Sequence, residues 1–183
     1  ATSATIDIVV TGNTTVAPQQ ATGPDSLCID AADSQFSISP VSGVTEYLWV
    51  LTPTEAGSIS GTGTTATVNW ASNFTGTASV VAAAVSACGT SEFSVSKDIV
   101  IQSAPSAPAA IEGPATSCAG SQNYFSPGSG SATLSWSLNP SNAGTISGTG
   151  NTITVTWADE FSGSASLSVT ATNFCGTSSA TSI

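Results

Sequence analysis

The sequence predicts an all-β chain of two tandem antiparallel β-sandwiches with one additional strand at the N-terminus. Three observations support this prediction. Apolar and polar residues alternate in many short segments, a long segment of the chain occurs twice, and the first residues repeat a segment from the interior. No apolar stripe with the periodicity of a helix is visible.

The alternation is regular in both halves of the chain. Leu134, Trp136 and Leu138 share one face of a predicted strand, with polar residues between them. Turns rich in Gly, Pro and Asn separate such strands, which is typical of a two-sheet sandwich about the size of an immunoglobulin-like domain. Leu48 and Val50 face outward and predict a local apolar patch. The other positions predicted to face the core are Ala66, Val68, Trp70, Ala78, Val80, Ala82, Ala84, Ile153, Val155, Trp157, Ala165, Leu167, Val169 and Ala171.

An internal duplication sets the domain organisation. Residues 34–96 match residues 121–183 at a constant offset of 87, so that Ser34-Gln35 aligns with Ser121-Gln122. Upstream the offset is 90, and Cys28 aligns with Cys118. Proline-containing residues 103–108 predict a stiff, extended link between the copies. The predicted domains are residues 1–14 as an orphan last strand, 15–103 as repeat 1, and 104–183 as repeat 2 without its last strand.

The N-terminus carries a copy of the strand that ends repeat 1. Thr5–Val10 matches Ser96–Ile101, whereas repeat 2 stops at Ile183, where its own version of this strand is due. A sandwich without its last strand exposes unpaired backbone and invites strand addition from another chain. We therefore expect Ile6, Ile8 and Val10 to form a donor strand that completes repeat 2 of a neighbouring copy, giving a head-to-tail filament.

Composition and charge exclude several classes of function. Eleven acidic residues oppose a single lysine and no arginine, and the net charge of −10 argues against nucleic acid as a partner. No histidine is present, so the commonest general base is missing; we predict no enzyme, no catalytic residue and no cofactor. No apolar run reaches the ~18 residues of a membrane helix, which predicts no membrane insertion. The acidic residues lack the spacing of a calcium loop, so no metal site is predicted.

The four cysteines are predicted to be oxidised. Cys28, Cys88, Cys118 and Cys175 fall two to a repeat, in a chain whose Ser- and Thr-rich composition is that of extracellular proteins. Cys28–Cys88 and Cys118–Cys175 are the pairs local to each repeat. If the strand order is conventional, however, these partners lie at opposite ends of a sandwich, and a bond from Cys28 to Cys175 across the repeat junction is the alternative.

Three residues are candidate glycosylation acceptors. Asn13 and Asn73 each begin an Asn-x-Thr sequon, and Ser26 lies in an Asp-Ser-Leu sequence that some bacteria modify with O-glycans.

The repeats resemble a known family. Gly-Pro-x-x-x-Cys, then a strand tryptophan, then Gly-Thr-Gly-x-Thr-x-Thr-Val-x-Trp and a Cys-Gly-Thr-Ser hairpin are similar to the PKD-like immunoglobulin-fold repeats of Bacteroidetes-type cell-surface proteins. Trp49–Pro53 and Trp136–Pro140 diverge from the Trp-Asp-Phe-Gly-Asp-Gly motif of standard PKD domains. The resemblance implies a stalk or adhesive role, as in gliding-motility adhesins, and no catalysis.

The leading functional prediction is a structural subunit of an extracellular cell-surface filament or adhesin, with neighbouring copies as partners. One alternative is a pair of stalk repeats from a very long adhesin, with the missing strand encoded downstream. Another is a carbohydrate-binding or spacer module of a secreted enzyme, with surface glycans as partners.

Overall fold

The computed structural model describes residue 6, residues 16–128 and residues 130–183. The chain divides into two compact units, the first ending at Gln102 and the second spanning Ser103–Ile183. Each unit consists of two facing groups of mainly antiparallel strands, and this confirms the predicted all-β fold with two tandem sandwiches.

Unit 1 has one sheet in the order β1-β8-β6-β3, with β7 paired to β6, and a second in the order β2-β5-β4. All pairs are antiparallel except β1 with β8, which is parallel. A single 3-10 turn, Thr54–Ala56, connects β3 to β4. The strands are β1 (Ser26–Cys28), β2 (Ser34–Ser37), β3 (Glu46–Thr52), β4 (Gly57–Ser60), β5 (Thr65–Trp70), β6 (Gly76–Ser86), β7 (Gly89–Thr90) and β8 (Lys97–Gln102).

Unit 2 repeats most of this arrangement with fewer strands. One sheet has the order β10-β13-β14, with β15 paired to β13, and the other has the order β11-β12-β9. A 3-10 turn, Ser141–Ala143, connects β10 to β11. The strands are β9 (Gly120–Phe125), β10 (Thr133–Asn139), β11 (Gly144–Ser147), β12 (Thr152–Trp157), β13 (Ser166–Asn173), β14 (Gly176–Thr177) and β15 (Thr181–Ser182).

The inward residues of each unit form its own core. In unit 1 the fully buried side chains include Phe36, Val68, Val80 and Ile99. The corresponding core of unit 2 contains Ile153, Val155, Leu167 and Val169. Because successive residues of a strand point to opposite faces, period-two alternation identified all of these positions except Phe36 and Ile99.

One retained glycine in each unit allows two strands to approach closely. A Cβ on Gly57 would lie 2.2 Å from the carbonyl oxygen of Asn69 on β5, and a Cβ on Gly144 would lie 2.5 Å from that of Thr156 on β12. Only glycine fits such a contact. This explains why the Ala-Gly step after the 3-10 turn is the same in both repeats.

The structure changes the repeat alignment at one strand. Ser34 pairs with Val68, whereas Gln122 pairs with the equivalent Val155. Phe36 and Tyr124, the buried aromatic residues, therefore occupy equivalent positions, and the expected match of Ser34-Gln35 with Ser121-Gln122 is displaced by one residue. The aromatic rings decide the register because they fill the core, while the Ser-Gln pairs are partly or fully exposed.

Candidate strand-acceptor site

In unit 1 the last strand, β8, lies between two other strands. It pairs antiparallel with β6 and parallel with β1, so that Val100 is opposite both Thr77 and Ser26. Its inward side chains, Ile99 and Ile101, are 0% and 4% exposed. β8 therefore supplies both backbone pairing and two buried apolar residues to this sandwich.

Polar contacts also anchor β8. Lys97 forms an ion pair with Asp25, on the loop that precedes β1. The hydroxyl of Ser79 on β6 donates a hydrogen bond to the Asp98 carboxylate at 2.7 Å. The backbone N–H of Val100 donates to the carbonyl of Asp25 at 3.0 Å.

In unit 2 the described residues cover the same edge of the sheet only in part. β15 pairs with β13 at two positions, and Ile183 continues the ladder by exchanging two backbone hydrogen bonds of 3.0 Å with Leu167. Leu167 corresponds to Val80, which pairs with Lys97 in unit 1. Ile183 therefore occupies the ladder position of Lys97. The next four positions, residues 163–166, correspond to the residues of β6 that pair with Asp98–Ile101.

A cavity of about 540 Å³ lies at this edge, and we call it the acceptor groove. Its lining consists of residues 114–119 and 161–165 together with Tyr124, Trp157, Ala158, Leu167 and Ile183. Residues 116–118 are the counterparts of β1 by the sequence repeat. The lining of the acceptor groove thus includes the unit 2 counterparts of β1 and of the start of β6, the two strands that pair with β8 in unit 1.

One buried polar atom near the groove lacks a partner. The indole Nε1 of Trp157 is buried without a hydrogen-bond acceptor among the described residues. Its counterpart, Trp70, donates to the Ser34 hydroxyl at 3.0 Å. Gln122 occupies the Ser34 position in unit 2. An unsatisfied buried donor of this kind costs about 1–3 kcal/mol.

The predicted polymerisation strand is described at one residue only. Ile6 is 86% exposed, whereas Ile8 and Val10 lie outside the described residues. Among the described residues, no strand pairs with residues 163–166 on the side where β8 lies in unit 1. In sequence, Asp7–Val10 differs from Asp98–Ile101 at one residue only, Val10 for Ile101. The Lys97 position, which the sequence alignment assigned to Ile6, is taken by Ile183.

The cysteines correct the expectation of one disulfide within each repeat. Cys28 is level with Gln102 at one end of β6, while Cys88 lies in the hairpin at its other end, more than ~30 Å away at the usual rise of a strand. Cys118 precedes β9 at one end of unit 2, and Cys175 lies in the β13–β14 hairpin at the opposite end. A disulfide requires Cα atoms within ~7 Å, so neither local pair forms. Cys28 and Cys175 are disulfide-bonded, whereas Cys118 is an exposed thiol.

The remaining predicted sites are dispersed. Asn73 is exposed in the turn before β6, Ser26 is exposed at the start of β1, and Asn13 lies outside the described residues. The tryptophans do not form an exposed stacking platform, since Trp49 is buried and the other three are half-buried against the cores. Leu48 remains 47% exposed, as its outward position predicts.

The described residues contain neither a candidate metal site nor a candidate membrane-spanning helix. In residues 16–128 and 130–183 no cluster of acidic, cysteine or histidine side chains is arranged to hold a metal ion. The same part of the chain contains no helix long and apolar enough to cross a membrane.

Comparison with known families and structures gives one family and a common fold. A family profile described as PKD-like domain matches residues 14–98 and again residues 104–183. No curated protein matches the sequence. Because 391 solved chains match the structure, the fold does not single out an activity.

Three of these structures illustrate the likeness. Domains A168–A170 of titin share 13% identity at a TM-score of 0.53, over 90% of this chain and 64% of that one. The chicken CNTN1 FN1–FN3 domains share 13% identity at 0.39, over 91% of this chain and 64% of that one. The fibronectin(III)-like modules of Clostridium thermocellum CbhA share 14% identity at 0.38, over 88% of this chain and 90% of that one. This chain therefore spans 64% of the length of the first two, and the titin likeness supports the sandwich fold alone.

Proposed function

Because the chain belongs to the PKD-like domain family in two tandem copies, we propose that it is a structural module of an extracellular filament or adhesin whose second unit accepts a β-strand from a neighbouring copy. Repeats of this fold are typically non-catalytic modules of extracellular or structural proteins. Disulfide-bonded cysteines, here Cys28 and Cys175, agree with an extracellular location.

The observation that carries this proposal is the acceptor groove of unit 2. In unit 1 the equivalent space holds β8, and its Ile99 is fully buried there. An exposed sheet edge beside apolar side chains favours strand addition, since the backbone of the added strand satisfies the edge and its alternate side chains enter the core.

The occupant we propose is residues 7–10 of a second copy. Asp7, Ile8 and Val9 are identical to Asp98, Ile99 and Val100. The groove also keeps the polar partner of this strand, because Ser166 stands where Ser79 donates to Asp98. With Asp7 opposite Ser166, Ile8 would enter the core beside Ala165 in the manner of Ile99.

Strand donation by each copy to the next produces a head-to-tail polymer. The proposed donor segment precedes β1 in the sequence and the acceptor groove lies in unit 2, so each contact would join two different parts of the chain. Contacts of this kind propagate into filaments unless the ring closes. In the alternative, a very long tandem-repeat adhesin, a strand encoded downstream in the same chain fills the groove instead.

The direct test is deletion of residues 1–11, followed by sedimentation velocity and negative-stain electron microscopy. We expect polymers from the full chain and monomers from the deletion variant. As a control, excess peptide of residues 1–11 should shorten the polymers of the full chain, because it caps acceptor grooves without carrying a further unit. Polymers that persist after deletion contradict the proposal. A full chain that stays monomeric and does not bind the peptide would also contradict it.

A further inference from the structure

The outer face of the β1-β8-β6-β3 sheet of unit 1 is apolar along its middle. Leu48 and Val50 on β3 stand opposite Ala83 and Val81 on β6, and all four alternate with residues of the core, so their side chains point outward. Leu48 is 47% exposed, whereas Ala83 is 0% exposed although it lies on the outer face. Larger neighbours therefore cover Ala83, and the apolar residues form one continuous surface.

A bulge beside β6 extends this surface. Residues 91 and 94 donate backbone hydrogen bonds of 2.9 and 2.8 Å to residues 84 and 82, so Glu92 and Phe93 both stand opposite Ala83. Phe93 is 49% exposed and Val95 is 71% exposed. We define the outer apolar face as Leu48, Val50, Val81, Ala83, Phe93 and Val95.

Unit 2 serves as an internal comparison for this face. Its strands β10 and β13 pair in the same register, with Ser135 opposite Thr170 where unit 1 has Leu48 opposite Ala83. The residues at the six equivalent positions are Ser135, Ser137, Ser168, Thr170, Ala180 and Ser182. Since the same sandwich forms with hydroxyl side chains at five of these positions, the fold itself does not require an apolar outer face.

Acidic side chains border the outer apolar face. Glu46, Glu92 and Asp98 are exposed at its margin, on β3, in the bulge and on β8. The single lysine of the chain, Lys97, is paired with Asp25, and the chain contains no arginine. In unit 2 the positions of Glu46 and Glu92 are occupied by threonine and serine. The acidic border and the apolar residues are thus found together in unit 1 and are both replaced in unit 2.

We propose that the outer apolar face is a docking surface for a protein segment whose apolar side chains are flanked by lysine or arginine. Burial of the apolar residues would supply affinity, and the acidic border would select a cationic partner. A second copy of this chain fits poorly, because it would bring further acidic groups against Glu46 and Glu92. The inference does not depend on strand donation, since none of these residues lines the acceptor groove.

The probe is a fluorescently labelled peptide of alternating leucine and lysine, titrated with the full chain and followed by fluorescence anisotropy. We expect saturable binding that weakens as the ionic strength rises. Two control peptides, with glutamate for lysine or serine for leucine, should bind at least about tenfold more weakly. No saturable binding of the leucine-lysine peptide, or equal binding of either control, would overturn the inference.

Two variants exchange the outer faces of the units. L48S/V50S/V81S/F93A gives unit 1 the residues of unit 2 and should lower the affinity for the peptide about tenfold or more. The reciprocal variant should create a second site and raise the stoichiometry to two peptides per chain; its substitutions are T133E, S135L, S137V, S168V, S179E and A180F. Urea denaturation verifies that each variant is folded. Unchanged affinity in the first variant, or no added site in a folded reciprocal variant, would refute the assignment.

A charge variant and a sedimentation measurement distinguish the partner we propose from a second copy. E46Q/E92Q keeps the shape of the face, so it tests the acidic border even if the first variant does not fold. This variant should bind the peptide about threefold more weakly and with less dependence on salt. Equal binding by E46Q/E92Q would count against a cationic partner. If L48S/V50S/V81S/F93A reduces self-association of the full chain in sedimentation velocity, the face binds a second copy and the inference is wrong.

Discussion

Replacing Ile8 by alanine is expected to weaken binding of the N-terminal strand about 30- to 150-fold. The magnitude follows from Ile99, the equivalent residue in unit 1, which is 0% exposed between β1 and β6. Truncating a buried isoleucine to alanine costs about 2–5 kcal/mol in protein cores, and the lower part of this range applies at the edge of a sheet. At about 1.4 kcal/mol for each factor of ten, a loss of ~2–3 kcal/mol gives the stated decrease in affinity.

The assay is fluorescence anisotropy of a labelled peptide of residues 1–12, titrated with the chain that lacks residues 1–11. Val9→Ala is the matched control, because its counterpart Val100 lies on the outer face and is 37% exposed. Surface truncations change binding by about 0.5 kcal/mol, so the control peptide should bind within about threefold of the wild type. Equal loss for both peptides, or no loss for Ile8→Ala, would refute the assignment of Ile8 to the groove.

Two further predictions concern the units themselves. Ile99→Ala should lower the free energy of unfolding of unit 1 by about 2–5 kcal/mol, measured by urea denaturation followed by tryptophan fluorescence. Val100→Ala should change this free energy by less than about 1 kcal/mol. Similar values for the two variants would show that β8 does not pack as described. Gln122→Ser should give the Trp157 indole a hydrogen-bond acceptor, as Ser34 does for Trp70. The melting temperature of unit 2 should then rise by about 4–8 °C for each kcal/mol that the hydrogen bond adds to the free energy of unfolding. Gln122→Ala adds no acceptor and controls for loss of the amide; an equal rise with that variant would contradict the hydrogen-bond explanation.

The sequence alone determined the fold class, the internal repeat and most of the core. Residues such as Leu134, Ile153 and Val169 could be placed because strand geometry has a fixed period, so a local pattern specifies a face. The likeness between residues 5–10 and residues 96–101 is also a property of the sequence. It predicted a donor strand before any groove had been located.

Only the tertiary structure decided which positions of the groove have no strand partner among the described residues. Ile183 takes the place of Lys97 because the ladder between β13 and β15 runs one residue out of phase with that between β6 and β8. Such a shift depends on pairing between strands distant in sequence. It left Asp7–Val10, and not Ile6, as the segment that matches the open edge.

The cysteine pairing shows the same division between local and long-range information. Counting cysteines predicted oxidation, but which residues can meet depends on the end of the sandwich where each one lies. The lengths of β6 and β13 separate Cys28 from Cys88 and Cys118 from Cys175. The number of residues between two cysteines does not reveal these distances. A chain that crosses between the two sheets can bring the second cysteine to either end of the sandwich. The three-dimensional order of the strands was therefore needed to identify Cys118 as an exposed thiol that lines the acceptor groove.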